Sequence, residues 1–252
     1  MLLKEIIDIL EKEYPPQLAY DWDNIGLLAG KESNEIKTVL VTLDITPDVV
    51  KEAISNNAEL ILSHHPLLFK GVKSFKEDNP KMDMYSEIIR NNISVYSAHT
   101  NMDIAPKGIN QYLAELFNLT DIKILEDATG LGRIGDIPEI SLEDFCLKTK
   151  EILNTPVLRV SGNLKKPVKR IAIGSGSCSD IIPYAIEKGA DVMLTADMKY
   201  HVSIDSVIDG ISVIDAGHYP TEIIVMDMFE NILKNTEVKI IKSKNKDIFS
   251  YI

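Results

Sequence analysis

The sequence predicts an α/β protein made of two internally repeated halves. Two self-matches carry that expectation, and hydrophobic periodicity sets the element types. Lys37–Ser63, KTVLVTLDITPDVVKEAISNNAELILS, aligns without gaps to Lys169–Thr195, KRIAIGSGSCSDIIPYAIEKGADVMLT, at an offset of 132. Val39, Val41, Asp48, Ala53, Ile54, Ala58, Glu59 and Leu62 face Ile171, Ile173, Asp180, Ala185, Ile186, Ala190, Asp191 and Leu194. Each copy reads strand, polar turn, helix, turn, strand. Asp48 and Asp180 fall at the helix starts, where a carboxylate meets exposed N–H groups. Ile93–Asp103, ISVYSAHTNMD, matches Ile211–Glu222, ISVIDAGHYPTE, at an offset of 119 once one residue is gapped. Each half thus carries His-x-x-x-carboxylate after a strand, His99 with Asp103 and His218 with Glu222.

The remaining elements fit the same plan. Leu3, Ile6, Ile7 and Leu10 share one face of a helix over 2–14, and a strand follows near 24–29. Their counterparts are a helix near 141–153 and the strand LRVSG at 158–162. Helices near 107–117 and 220–234 carry the chain onward from the two carboxylate motifs. The glycine-rich stretch near 126–136, EDATGLGRIGD, is the expected joint. The expected halves are therefore 1–125, with 216–252 packing back onto it, and 126–215.

At 252 residues, 45% hydrophobic and 26% charged, the chain can bury a core without disulfide staples. Its 27 basic and 38 acidic residues give a net charge of −11, which argues against nucleic acid as a partner. Nucleotides stay open, since metals or backbone N–H groups hold phosphate locally. Cys146 and Cys178 form no CxxC pair, which suits a reducing compartment. No apolar run reaches the length of about 18 residues that spans a membrane, and the first residues do not read as a signal peptide. A cytoplasmic protein without a membrane partner is expected.

The histidines fall at strand ends or in the turns that follow. His64 and His65 precede Pro66, which disfavours helix before it and leaves the pair on extended chain. Neighbours on a regular strand point to opposite faces, so the two imidazoles share a pocket only where the chain bends, or else serve different metals. Open α/β sheets collect ligands at the carboxyl ends of their strands, where these residues and the two His-x-x-x-carboxylate motifs lie. Imidazoles and carboxylates together suit a pair of divalent ions such as Zn, Mn, Fe, Co or Ni. Two such ions about 3.5–4 Å apart hold a reactive hydroxide between them. The ordinary alternatives are a hydrogen-bonded strand cap for His64 and His65 and a helix cap for His218 and Glu222. Because imidazoles must be neutral to bind metal, affinity should weaken as pH falls through about 6.

Other motifs say less. GSGSCSD at 174–180 lacks the lysine of a P-loop and the GxGxxG spacing, so it reads as a tight strand-to-helix turn more than an anion cradle. Cys178 has no neighbouring base in sequence and makes a poor nucleophile. Arg133 and Arg170 could pair with acidic substrate groups or serve structural roles.

WDNIGLL at 22–28, LSHHPLLFKGVKSF at 62–75, YSAHTNMD at 96–103, GRIGD at 132–136 and DAGHYPTE at 215–222 resemble one known family. It is the NGG-interacting-factor-3-like family of dinuclear-metal-centre hexameric proteins, whose members carry the name GTP cyclohydrolase 1 type 2 homolog, and the likeness spans nearly the whole chain. The resemblance implies two intertwined, internally repeated α/β halves with mixed sheets, and a toroidal homohexamer. It assigns two divalent ions per chain to His64, His65, Asp103, His218 and Glu222, and makes His99 and His201 candidates for supporting the ligands or for proton transfer, with ordinary turn histidines as the alternative. The implied activity is metal-dependent hydrolysis of a nucleotide or other small molecule, in its sharpest form GTP opened at C8. A phosphoesterase or other hydrolase using the same metals, and a non-catalytic metal-binding scaffold or regulator, are the alternatives. Two departures stand out: Thr195-Ala196-Asp197 replaces the family's usual Thr-Gly-Asp, and no large insertion fits between 104 and 168.

Overall fold

The computed structural model describes residues 1–76, 78–244 and 246–251. The chain forms two compact units, Met1–Met102 with Ile223–Lys246, and Asp103–Glu222 with Asp247–Ile252. Unit one begins with α1 (Leu3–Glu13), β1 (Gly26–Ala29), β2 (Thr38–Thr42), α2 (Pro47–Ser55) and β3 (Leu60–Ser63). It continues through α3 (Pro80–Arg90) and β4 (Ser94–Ser97), and the chain leaves it within α4 (Thr100–Ile104). Unit two holds α5 (Ile109–Leu116), β5 (Thr120–Ile124), β6 (Arg133–Ser141), α6 (Leu142–Ile152), β7 (Arg159–Ser161) and β8 (Pro167–Ile173). It closes with α7 (Ile182–Glu187), β9 (Val192–Thr195), α8 (Tyr200–Ile208), β10 (Ser212–Asp215) and α9 (His218–Glu222). The chain then returns to unit one for α10 (Val225–Leu233) and β11 (Lys239–Lys242). The helix expected near 220–234 is therefore two, broken at Ile223 and Ile224, where the chain changes units.

Unit one's sheet runs β1-β4-β3-β2-β11. β4, β3, β2 and β11 are parallel neighbours, and β1 is antiparallel to β4. LILS and SVYS are buried along their whole length, as expected of strands covered on both faces. Thr46 caps α2 by accepting the Val49 N–H, with Pro47 in the first turn where its missing N–H costs nothing. α2 and α3 then bury Val49, Val50, Ala53, Met84, Tyr85 and Ile88 against Leu40, Ile61 and Val95. α1 buries the four apolar residues of its predicted stripe and packs with α10, which in turn contacts β2.

Unit two's sheet runs β5-β6-β8-β9-β10-β7, with β8, β9 and β10 parallel and the outer pairings antiparallel. Both sheets are thus mixed. The stretch 126–136 lies within this unit, where it forms the turn between β5 and β6 and the start of β6. Leu125, Ile134, Ala172, Ile181, Met193 and Val213 meet in its core.

The repeat is reproduced down to register. Val39 pairs with Leu60 and Ile171 with Val192, the same partners shifted by one repeat. Glu59 Oε2 accepts the N–H groups of Lys37 and Thr38, as Asp191 Oδ2 accepts those of Lys169 and Arg170. One carboxylate per half therefore satisfies two adjacent backbone donors at equivalent positions of the repeat. Asp48 sits in the first turn of α2 as expected. In the second copy a 3-10 turn, Ser179–Ile181, holds Asp180 and precedes the shorter α7. Among the described residues no helix is long and apolar enough to cross a membrane.

Candidate metal centre

In unit one, three imidazoles meet at the carboxyl ends of adjacent parallel strands. The chain bends after β3: the His64 N–H donates to Thr42 O at 3.3 Å and the His65 N–H to Leu43 O at 3.0 Å. Ser63 Oγ donates to His65 O at 2.8 Å and holds the bend. Both rings therefore share one side, with centroids 5.1 Å apart. His99, just past β4, brings its ring to 5.1 Å from His64 and 5.5 Å from His65. One ring nitrogen from each lies within 4.8 Å of the others, so the cluster is able to hold a metal ion. The bend brings the two rings to one side, as a shared pocket for His64 and His65 requires.

Each ring is held through Nδ1. His64 Nδ1 lies 2.9 Å from the carbonyl oxygen of Ala98, and His65 Nδ1 lies 2.7 Å from Asp44 Oδ1. His99 Nδ1 lies 3.0 Å from both oxygens of Asp23. An acceptor at Nδ1 places the proton there and turns the Nε2 lone pair outward, the tautomer a metal ligand needs. Trp22 and Phe69 flank His99 with ring centroids at 6.1 and 5.6 Å. Burial alone would raise the pKa of Asp23, but bonds from His99, the Thr100 hydroxyl at 2.6 Å and the Thr100 N–H at 3.0 Å hold it at about 2. A folded pKa below the unfolded value of about 3.9 gives stability that is present above pH 4 and lost as pH falls toward 2. The shift corresponds to about 2 kcal/mol. Comparing unfolding free energies of the parent and Asp23→Asn from pH 7 to pH 2.5 should show the gap closing at the acid end. A constant gap would mean that this carboxylate carries no linked proton.

Unit two holds its own group of imidazole and carboxylate donors. His218 and Glu222 stand one turn apart on α9, with Nε2 and Oε2 at 2.8 Å. His218 Nδ1 lies 2.7 Å from Asp197 Oδ2. Both ring nitrogens thus face carboxylate oxygens, and the close Nε2–Oε2 pair calls for a shared proton or a cation. A carboxylate oxygen of Asp103 lies within 4.8 Å of one of Glu222. Buried Asn110 ties these parts together: its amide donates to Asp103 O at 3.1 Å, and its oxygen accepts the Ser175 N–H at 2.8 Å.

The GSGSCSD loop supports this carboxylate. Gly176 has φ +58°, and a Cβ there would collide with the Glu222 carboxylate and lie 3.1 Å from His218 Nε2. Its N–H donates to Thr221 Oγ1 at 3.1 Å, and its carbonyl accepts from Thr195 Oγ1 at 3.1 Å. Burial, then the charges of Asp103 and Glu222, push the Cys178 thiol well above its usual range, so it is no thiolate nucleophile. Ala196 is fully buried with φ outside the left-handed region, so this backbone does not need the glycine usual in the family.

His201 is exposed on α8 beside Tyr200, with ring centroids 5.5 Å apart, and joins no metal-ligating cluster among the described residues. Arg133 is buried, donating to Gln111 and to the carbonyls of Ala105, Gly130 and Gly132. Arg170 pairs with Asp136 and donates to Lys188 O. Both arginines are structural.

Sequence reasoning missed Asp23, Asp44 and Asp197 as the groups that orient histidines. One signal was present: at the repeat offset of 132, Asp197 is the counterpart of His65, so it stands at the equivalent strand end. Losing such a partner weakens metal binding by about 10–100-fold. Asp44→Ala and Asp197→Ala should each do so in competition with a chelator, and unchanged affinity would show that the Nδ1 contacts do not matter.

Residues 1–248 match the family described as Duf34/NIF3 (NGG1p interacting factor 3). The chain is 36% identical over 251 residues to the GTP cyclohydrolase 1 type 2 homolog of Campylobacter jejuni, covering 100% of both. It is 38% identical over 212 residues to the protein of that name from Lactococcus lactis, covering 83% of this chain and 82% of the relative. Among solved structures, Staphylococcus aureus hypothetical protein SA1388 superposes with a TM-score of 0.92 at 31% identity, covering 100% of this chain and 99% of that one.

Proposed function

Because the chain belongs to the Duf34/NIF3 (NGG1p interacting factor 3) family, we propose that it is a hydrolase dependent on a dinuclear divalent metal centre. The ligands are His64, His65, Asp103, His218 and Glu222, as the family resemblance assigns them. One observation carries the reading: His64, His65, His99 and His218 are each held at Nδ1 by an oxygen acceptor. Imidazole and carboxylate donors fit Zn, Mn, Fe, Co or Ni better than an all-oxygen Mg or Ca cage. Bound ions of this class supply a hydroxide near neutral pH and polarise an electrophilic carbon or phosphorus.

The chain's own residues do the rest. Asp44 and Asp197 keep His65 and His218 in the ligating tautomer. His99, with Nδ1–H held by Asp23, presents Nε2 for proton transfer beside the ligands. His201 is the second candidate for that role. Trp22 and Phe69 form an aromatic rim on which a planar substrate can rest. The name shared by the relatives makes GTP the first substrate, hydrated at C8 with opening of the imidazole ring. A toroidal homohexamer in the cytoplasm is the expected form.

The test is elemental analysis of untagged protein, followed by reconstitution with Mn, Zn or Fe and chromatography of GTP incubations. About two ions per chain and ring-opened product support the reading. Metal-loaded protein that leaves GTP unchanged removes that substrate, and a panel of nitrophenyl phosphate, nucleotide and amide substrates then separates other hydrolases from a non-catalytic scaffold. Only traces of metal, not rescued by reconstitution, would undo the hydrolase.

A further inference from the structure

The segment that follows the His64–His65 pair carries an unusual charge for this chain. Lys70, Lys73 and Lys76 stand at three-residue spacing, and Lys81 lies in the first turn of α3, in a protein of net charge −11. All four line one cavity of about 420 Å³ in unit one, with Asn79 and Tyr85. Asp78 is the acidic residue among the described residues that line it. Among the described residues none of the four lysines is in an ion pair, although acidic side chains outnumber basic ones in the chain. The amino end of α3, where Asn79 caps the Lys81 N–H, adds the helix's partial positive charge to the same wall.

The cavity is fixed relative to the imidazole cluster. Tyr85 Oη donates to Leu67 O at 3.1 Å from the cavity side. Asn24 Nδ2 donates to Leu68 O at 2.6 Å, and Phe69 packs on the His99 ring. Lys70 is the next residue. The residue that packs on His99 and the first lysine of the cavity wall are thus neighbours in the chain.

We propose that this lysine-lined cavity is a subsite for a di- or triphosphate chain, the anionic tail of the substrate. It rests on the reading of the protein as a nucleotide-directed hydrolase, and it assigns the part of that ligand the protein itself recognises. Several ammonium groups on one short chain suit an extended polyanion, which each contacts as a point charge.

The experiment is calorimetric titration of the full chain with inorganic tripolyphosphate, at low and at 0.5 M salt, before and after removal of metal with a chelator. Binding should survive chelation and weaken with salt. The double variant Lys73→Ala/Lys76→Ala should lose about tenfold in affinity, a modest loss per exposed charge. Lys234→Ala, on a surface outside the cavity, should change nothing. Both variants replace exposed side chains, so folding is checked by circular dichroism and metal content. Binding that requires metal, or that the double variant retains in full, overturns the subsite and leaves the metal-dependent hydrolase standing. Absence of binding to protein that still takes up metal does the same. Loss of metal uptake with tripolyphosphate binding intact overturns the hydrolase and keeps the subsite.

Discussion

Glu222→Ala will leave purified protein with less than about a tenth of the parent's divalent metal, a loss at least as large as that from removing an outer partner. The carboxylate is 4% exposed, stands 2.8 Å from His218 Nε2 and shares its surroundings with Asp103. Its loss removes a charged donor and leaves His218 Nε2 facing no carboxylate oxygen of its own helix. Glu222 takes no part in unit two's apolar core of Ile134, Ala172, Met193 and their neighbours, so the fold should persist. His65→Ala, on the other unit, should act in the same direction. Inductively coupled plasma analysis beside circular dichroism separates the outcomes: normal metal content in both folded variants would remove these residues from the ligand set.

Gly176→Ala comes next in size, because it adds two costs at one atom. A φ of +58° is the left-handed region, which costs a non-glycine residue about 1–2 kcal/mol. The new Cβ also meets the Glu222 carboxylate, and forced repacking costs about 1–3 kcal/mol more. A total near 3 kcal/mol should lower the melting temperature by about 5–10 °C and displace Glu222, so metal retention falls with it. Gly189 is the control. Its φ is +72°, but nothing lies within 4 Å of its would-be Cβ, so Gly189→Ala carries the backbone strain without the collision. Equal effects on metal retention from the two substitutions would show that the Gly176–Glu222 approach has no part in the site.

The repeat was legible because its two copies preserve strand pairing as well as sequence: Val39 with Leu60 and Ile171 with Val192 are the same step of the same ladder. The histidines were legible because strand ends are marked by apolar runs that stop, as LILS stops before His64. Their Nδ1 partners were not, since Asp23 lies 76 residues from His99 and Asp44 lies 21 from His65. Pairings at that separation follow from how strands and helices are laid side by side, not from local spacing. β6 escaped notice for a different reason. Gly135 and Pro138 interrupt its alternation, and the strand accommodates them with a register shift between Asp136 and Ile140. α8 packs on unit two through Val202 and buried Ser206 and sends its larger apolar residues outward, with Tyr200 72% and Ile208 76% exposed, so its apolar periodicity does not mark the buried face.

The pairing of β11 with β2 sets an order of events during synthesis. Ser243 Oγ donates to Thr42 Oγ1 at 2.9 Å across 201 residues, and the strands beside them run parallel. Until β11 leaves the ribosome, β2 is an open edge of apolar TVLVT, with its backbone donors and acceptors unclaimed. Unit two is contiguous from Asp103 to Glu222, so nearly all of it is made before unit one can close. The nascent protein therefore carries this open edge for most of its translation, and a chain stopped before Lys239 keeps it. Slow or interrupted translation late in the message should cost this protein more in aggregation than the same pause earlier.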